Sequence, residues 1–102
     1  MKITELVHVI EELGLRPDFD YVLDDDGDED EVLVVYGKGD SVAVVYVDWI
    51  GAWDCYEPYF SELEPHKRHK LLEAVEEYSY TPFIDRKDKK LRFSLGSEYE
   101  NN

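Results

Sequence analysis

Glu31-Val32-Leu33-Val34-Val35-Tyr36-Gly37-Lys38-Gly39-Asp40-Ser41-Val42-Ala43-Val44-Val45-Tyr46-Val47-Asp48-Trp49 decides the fold. Two dense β-branched runs flank Gly37-Lys38-Gly39-Asp40, the turn chemistry of a hairpin. The predicted strands are Glu31–Tyr36 and Ser41–Trp49. In the second, Val42, Val44 and Tyr46 share one face and Ala43, Val45 and Val47 the other. Apolar residues on both faces mark it as the best-covered strand of a sheet.

Working towards the N-terminus, Phe19–Leu23 suits a further strand. The turn Asp24-Asp25-Asp26-Gly27-Asp28-Glu29-Asp30 joins it to Glu31–Tyr36 and completes a three-stranded antiparallel meander. Ahead of it, Ile3, Leu6, Val7, Ile10 and Leu13 recur at helical spacing and predict a helix over Thr4–Leu15. Thr4 is its expected cap, with Gly14 and Pro17 as stop signals.

Towards the C-terminus, Ile50–Glu64 is aromatic and irregular, and a short helix is expected near Pro58–Leu63. Pro65 fits the first turn of a long second helix, which buries Leu71, Leu72, Val75 and Tyr78 and runs to about Ser79, with Pro82 closing it. Lys89–Leu95 alternates and predicts a fourth strand, with Leu91, Phe93 and Leu95 inward. Residues 1–95 are thus one α+β domain in the order α-β-β-β-α-β. Two main helices pack on one face of a three- to four-stranded antiparallel sheet, and residues 96–102 form a flexible tail.

The 102-residue chain has a formal net charge of −14, with 25 Asp and Glu against 11 Lys and Arg. At 43% hydrophobic and 14% aromatic it is too apolar for an acidic disordered chain. The charge excludes nucleic-acid binding through a basic surface and disfavours anionic membranes. It is also regional. Asp18–Glu64 holds 15 acids and one base, Lys38, which accounts for the whole net charge. Nine of those acids fall within Asp18–Glu31, which contains no base. Cys55 is the single cysteine, so no internal disulfide and no CxxC zinc site is expected. Without a signal peptide or long apolar run, the expected location is the cytosol.

The Asp-rich turn does not fit an EF-hand: with Gly27 in the sixth position, Val22 and Leu33 occupy the first and twelfth, where ligands are needed. A looser calcium site and a simple solvated turn are the alternatives to an anion display. Unit charges about 7 Å apart in water repel by roughly 0.6 kcal/mol, so the run carries a cost that a cationic partner would relieve. His66 and His69 share a helix face at i,i+3, but two histidines without a carboxylate motif are expected to be surface residues. His8 is expected at a helix rim. Cys55 has no flanks of a known catalytic type, no acid–base pair stands out, and no phosphate loop is present, so the expectation is a non-catalytic protein without a cofactor. Trp49, Trp53, Tyr56, Tyr59 and Phe60 either fill the core or anchor an interface beside Asp48, Asp54 and Glu57.

Glu77-Tyr78-Ser79-Tyr80-Thr81-Pro82, then Asp85-Arg86, then Lys89-Lys90-Leu91-Arg92-Phe93 resembles a motif of small phage and prophage proteins of Gram-positive bacteria. The resemblance spans about residues 71–95 by motif and most of the chain by layout. Leu91 in place of an aromatic, Phe83 and the Asp run depart from it. It implies a phage origin and an α+β fold, and it carries over no catalytic residue. In size, charge and element order the chain is also similar to type II anti-CRISPR proteins, without a shared motif. That similarity implies an inhibitor of an RNA-guided nuclease acting in the host bacterial cytosol. Asp24, Asp25, Asp26, Asp28, Glu29, Asp30 and Glu31 would take the place of nucleic-acid phosphates in the basic cleft of the host protein, and Asp48, Asp54 and Glu57 would extend the surface. The alternative is a phage interaction or regulatory protein that binds through the aromatic cluster or the basic helix start His66–Lys70.

Overall fold

The computed structural model describes residues 1–86 and shows an α+β protein. Its elements in order are α1 (Ile3–Glu12), β1 (Arg16–Leu23), β2 (Glu29–Tyr36), β3 (Ser41–Tyr46), β4 (Trp53–Cys55), α2 (Pro65–Ser79) and α3 (Phe83–Arg86). The four strands form one antiparallel sheet in the order β1-β2-β3-β4.

The valine-rich hairpin lies where its composition demands. Val42, Ala43, Val44 and Val45 are all buried, as expected of a strand flanked on both sides. Leu33 pairs with Val45 and Val35 with Ala43. On that face they meet Ile3, Leu6 and Ile10 of α1 and Leu71, Ala74, Val75 and Tyr78 of α2, and together they make the core. Both long helices therefore pack on one face of the sheet, as their apolar stripes require.

Several boundaries differ from the sequence expectation. α1 starts one residue ahead of Thr4, and its N-cap is Lys2, whose backbone N–H donates to the Glu5 carboxylate at 3.0 Å. A carboxylate in the first turn supplies both the acceptor and the favourable charge, so Thr4 is not needed as a cap. α1 ends at Glu12 through Gly14, at φ +77°, with Gly14 N–H donating to Glu11 and Leu15 N–H to Ile10. This is a left-handed glycine stop. β1 begins at Arg16 and takes in Pro17, which it tolerates because, among the described residues, β1 is an edge strand paired only with β2. β3 stops at Tyr46 because the chain turns through Asp48–Gly51, with Gly51 at φ +69°.

The short helix expected near Pro58–Leu63 is a series of turns. Phe60 N–H reaches back to Tyr56, Glu62 N–H is shared between the Pro58 and Tyr59 carbonyls and Leu63 N–H reaches Phe60, a run of mixed spacing too short to propagate an α-helix. The fourth strand is Trp53–Cys55, drawn from the irregular aromatic stretch, so the described order is α-β-β-β-β-α-α. The expected strand Lys89–Leu95 and the tail 96–102 lie outside the described residues.

The C-terminal end of α2 is locked to the sheet by a buried arginine. Arg86 is fully buried, and its guanidinium donates from Nε to the Thr81 carbonyl at 3.0 Å, from Nη1 to the Val47 carbonyl at 2.7 Å and from Nη2 to the Ser79 carbonyl. It stands 4.7 Å from the centre of the Tyr78 ring, and the Tyr78 hydroxyl donates to the same Val47 carbonyl at 3.2 Å. Thr81 Oγ1 donates to the Glu77 carbonyl and receives the N-terminal ammonium of Met1 at 3.0 Å.

Removing the guanidinium leaves buried carbonyls without donors, so Arg86→Ala is expected to lower unfolding free energy by roughly 3 kcal/mol in urea titrations. Arg86→Lys keeps the charge without the planar fork and should recover only part of it.

Burial pushes the Tyr78 hydroxyl up to about 12, against the opposing pull of Arg86. The unfolded tyrosine ionises near pH 10 while the folded one stays neutral, so this contribution to stability is complete below pH 10 and is lost as pH rises towards about 12. Urea midpoints measured across that interval should fall more steeply for the native protein than for Tyr78→Phe.

Candidate functional site

The strand register sorts the acids. β1 pairs with β2 as Asp18↔Val34, Asp20↔Val32 and Val22↔Asp30, and β3 continues these rows as Val34↔Val44 and Val32↔Tyr46. Val44 then pairs with Asp54 of β4. One row across the sheet thus reads Asp18, Val34, Val44, Asp54, on the face opposite the helices. Its two carboxylates stand at opposite rims of a valine floor, about 14 Å apart across three strand spacings. Val32 and Val44 are buried in that floor, while Asp18 and Asp54 are exposed. Tyr36, with the Arg16 guanidinium 4.2 Å from its ring centre, also belongs to this face. Tyr56 lies within electrostatic range of Tyr46, Asp54 and Tyr36, and burial together with these neighbours pushes its hydroxyl up.

The expected acids divide into three groups. Asp30 lies on the same face as Asp18 and Asp20 and accepts the Trp49 indole N–H at 3.1 Å. Glu29 and Glu31, opposite Leu23 and Tyr21, belong by alternation to the helix-bearing face. Asp24, Asp25, Asp26 and Asp28 occupy the hairpin tip around Gly27, at φ +85°. Asp24 is the organiser of that tip: its Oδ1 accepts the backbone N–H groups of Asp26 and Asp28, each at 2.9 Å. Asp25, Asp26 and Asp28 are exposed around it. Of the extending acids, Asp54 joins the valine floor, Asp48 is exposed in the β3–β4 connection, and Glu57 accepts a hydrogen bond from the Ser61 hydroxyl.

Sequence reasoning missed Asp18 and Asp20 as surface partners of Asp54. The signal was present in the alternation of Asp18-Phe19-Asp20-Tyr21, but the pairing that brings β4 alongside was not. The aromatic cluster does not fill the core as a unit. Phe60 packs against the core and Trp53 is half-buried, whereas Trp49, Tyr56 and Tyr59 are exposed.

The other candidates resolve into ordinary structure. His66 pairs with Glu64 at 3.5 Å and His69 with Glu73 at 3.1 Å, rather than with each other. His8 sits at the exposed rim of α1, 2.8 Å from Glu12. Among the described residues, no group of three His, Cys, Asp or Glu side chains is placed to hold a metal ion. Burial and the carboxylates of Asp54 and Glu57 push the Cys55 thiol up, which opposes the thiolate that nucleophilic chemistry needs. A cavity of about 210 Å³ between Gly14, Val42, Tyr59 and Lys67 is smaller than common ligand pockets. No described helix is long and apolar enough to cross a membrane. The chain matches no family model, no curated protein and no solved structure.

Asp24→Ala removes the acceptor for two backbone N–H groups and is expected to cost about 1 kcal/mol, whereas Asp25→Ala should fall within roughly 0.5 kcal/mol of the native protein. Thermal unfolding of the two variants side by side checks the contrast.

Proposed function

We propose that the protein is a non-catalytic, phage-encoded inhibitor that binds a host nucleic-acid-handling protein through the acidic β1–β2 region and occupies its phosphate-binding cleft. The observation that carries this reading is the ordered placement of carboxylates: Asp18, Asp20, Asp30 and Asp54 on one sheet face, and Asp25, Asp26 and Asp28 on a tip whose backbone Asp24 fixes. Acids held on a sheet at fixed spacing present a patterned negative surface to Arg and Lys, which a frayed acidic tail does not. The partner class is a nuclease with a basic nucleic-acid channel, and an RNA-guided nuclease meets that description through the backbone-reading groove that holds its heteroduplex. The site of action is then the bacterial cytosol.

A second reading, binding centred on apolar side chains, draws on the exposed Trp49 and Tyr59. The basic start of α2 supports it less. There Arg68 donates to the Ser61 carbonyl and His69 is paired with Glu73, so these groups are already engaged within the chain.

Inhibition of DNA cleavage by purified type II RNA-guided nucleases tests the proposal. The native protein should inhibit at least one of them by displacing DNA, with affinity falling as salt rises. Asp18→Asn/Asp20→Asn/Asp30→Asn/Asp54→Asn should weaken inhibition at least tenfold, whereas Trp49→Ala/Tyr59→Ala should weaken it less. Inhibition that survives the four neutral substitutions, or that ignores salt, overturns the electrostatic reading in favour of the apolar one.

A further inference from the structure

Arg16 shows how this chain holds a cation at its surface. The Arg16 guanidinium lies 4.2 Å from the centre of the Tyr36 ring, and its Nη1 donates to Asp18 Oδ2 at 3.3 Å. The electron-rich ring face takes the delocalised charge while the carboxylate beside it accepts an N–H group. Arg16 pairs with Tyr36 and Asp18 with Val34, so the three groups stand at the β1 rim of the sheet face opposite the helices. Both charged side chains are exposed, and an exposed ion pair alone is worth little. The ring is what adds a second contact and selects a planar cation.

The opposite rim repeats the arrangement without the cation. Asp54 closes the row Asp18, Val34, Val44, Asp54. Tyr46 lies two residues from Val44 on the same face, and so stands diagonal to Asp54. Tyr56 follows Asp54 by two residues. Its backbone N–H donates to the Val42 carbonyl at 2.9 Å, which carries the ladder one step past β4. Burial pushes the Tyr56 hydroxyl up, and Tyr46, Asp54 and Tyr36 add to the effect, so these groups share one electrostatic neighbourhood. Tyr56 is 40% exposed, Tyr46 is half-buried and Val44 between the rims is buried. Asp54 Oδ1 accepts the Cys55 backbone N–H at 2.8 Å, and among the described residues Asp54 has no ion pair.

We propose, on the reading that the acidic face meets a basic partner, that Tyr46, Tyr56 and Asp54 form a guanidinium site for an arginine side chain of that partner. The rings offer a face for the planar cation and Asp54 accepts its N–H groups, as Tyr36 and Asp18 do for Arg16. Lysine fits less well, because a compact, strongly hydrated ammonium has no plane to lay on a ring. A second copy of this chain is a poor donor. It brings the same −14 charge, and of its described arginines Arg16 and Arg68 are engaged within the chain and Arg86 is buried. A surface that binds phosphates through arginine supplies both the charge and the shape.

NMR titration of the full chain with N-acetyl-arginine amide and with N-acetyl-lysine amide tests it, since each probe carries a single cation. The arginine probe should shift the ring signals of Tyr46 and Tyr56 and bind about threefold more tightly than the lysine probe. Tyr56→Leu should abolish that preference, Tyr56→Phe, which keeps the ring, should retain it, and Asp54→Asn should weaken both probes. Equal binding of the two probes overturns the proposal. So does a titration without ring shifts, a preference that survives Tyr56→Leu, or one that Tyr56→Phe loses. The nuclease assay separates this site from the reading beneath it. Equal probe binding beside salt-sensitive inhibition overturns the guanidinium site alone, whereas an intact arginine preference beside inhibition that ignores the acids upholds the site and overturns the acidic-face reading.

Discussion

The buried guanidinium of Arg86 ties together three parts of the chain that the sheet alone does not join. Its donors reach the Thr81 and Ser79 carbonyls at the end of α2 and the Val47 carbonyl at the end of β3. A buried cation is costly unless its hydrogen-bonding capacity is used, and here the planar fork meets carbonyls on separate elements while its face lies against Tyr78. Because the Tyr78 hydroxyl shares the Val47 carbonyl, α2 cannot slide along the sheet without breaking both contacts. The C-terminal residues Tyr78, Thr81 and Arg86, which stand out as a motif in the sequence, are in this chain the components of that lock.

Against this anchored half, the acidic half is an arm. β1 and β2 meet over eight residues in register, and the hairpin tip carries only charged residues and Gly27. The helices cover the core rows of Leu33 and Val35 and leave Tyr21, Leu23 and the tip beyond them exposed. Charge and core are therefore separated in space. Self-repulsion among the carboxylates falls where it disturbs packing least, and the same separation exposes the surface on which the proposed inhibition depends.

The parts of the fold that could be read from sequence were those set by local chemistry: the valine hairpin, the α1 stripe, the Pro65 start of α2 and the burial of β3. The misses came from tertiary choices. Trp53-Asp54-Cys55 has no alternation long enough to mark a strand, and it becomes one because Ala43 and Val45 offer it partners. Arg86 enters the sequence reading only as part of the Asp85-Arg86 motif, and nothing local reveals that it turns inward. Of the candidate surface, the acidic tip was legible as a cluster of charge. The row joining Asp18 to Asp54 was not, because it depends on which strands become neighbours.

The alternation on β1 also acts before any partner is met. A hairpin slipped by one residue would rotate Asp18 and Asp20 onto the helix-bearing face, beside Leu33 and Val35, and bring Phe19 and Tyr21 to the other side. The slip would set carboxylates against that apolar row and give up the partial burial of Phe19 and Tyr21, which are 48% and 60% exposed, so the misaligned pairing is disfavoured. The acids thus work as an alignment code written into the strand: they select a single register for the sheet, and with it the spacing at which they themselves are displayed.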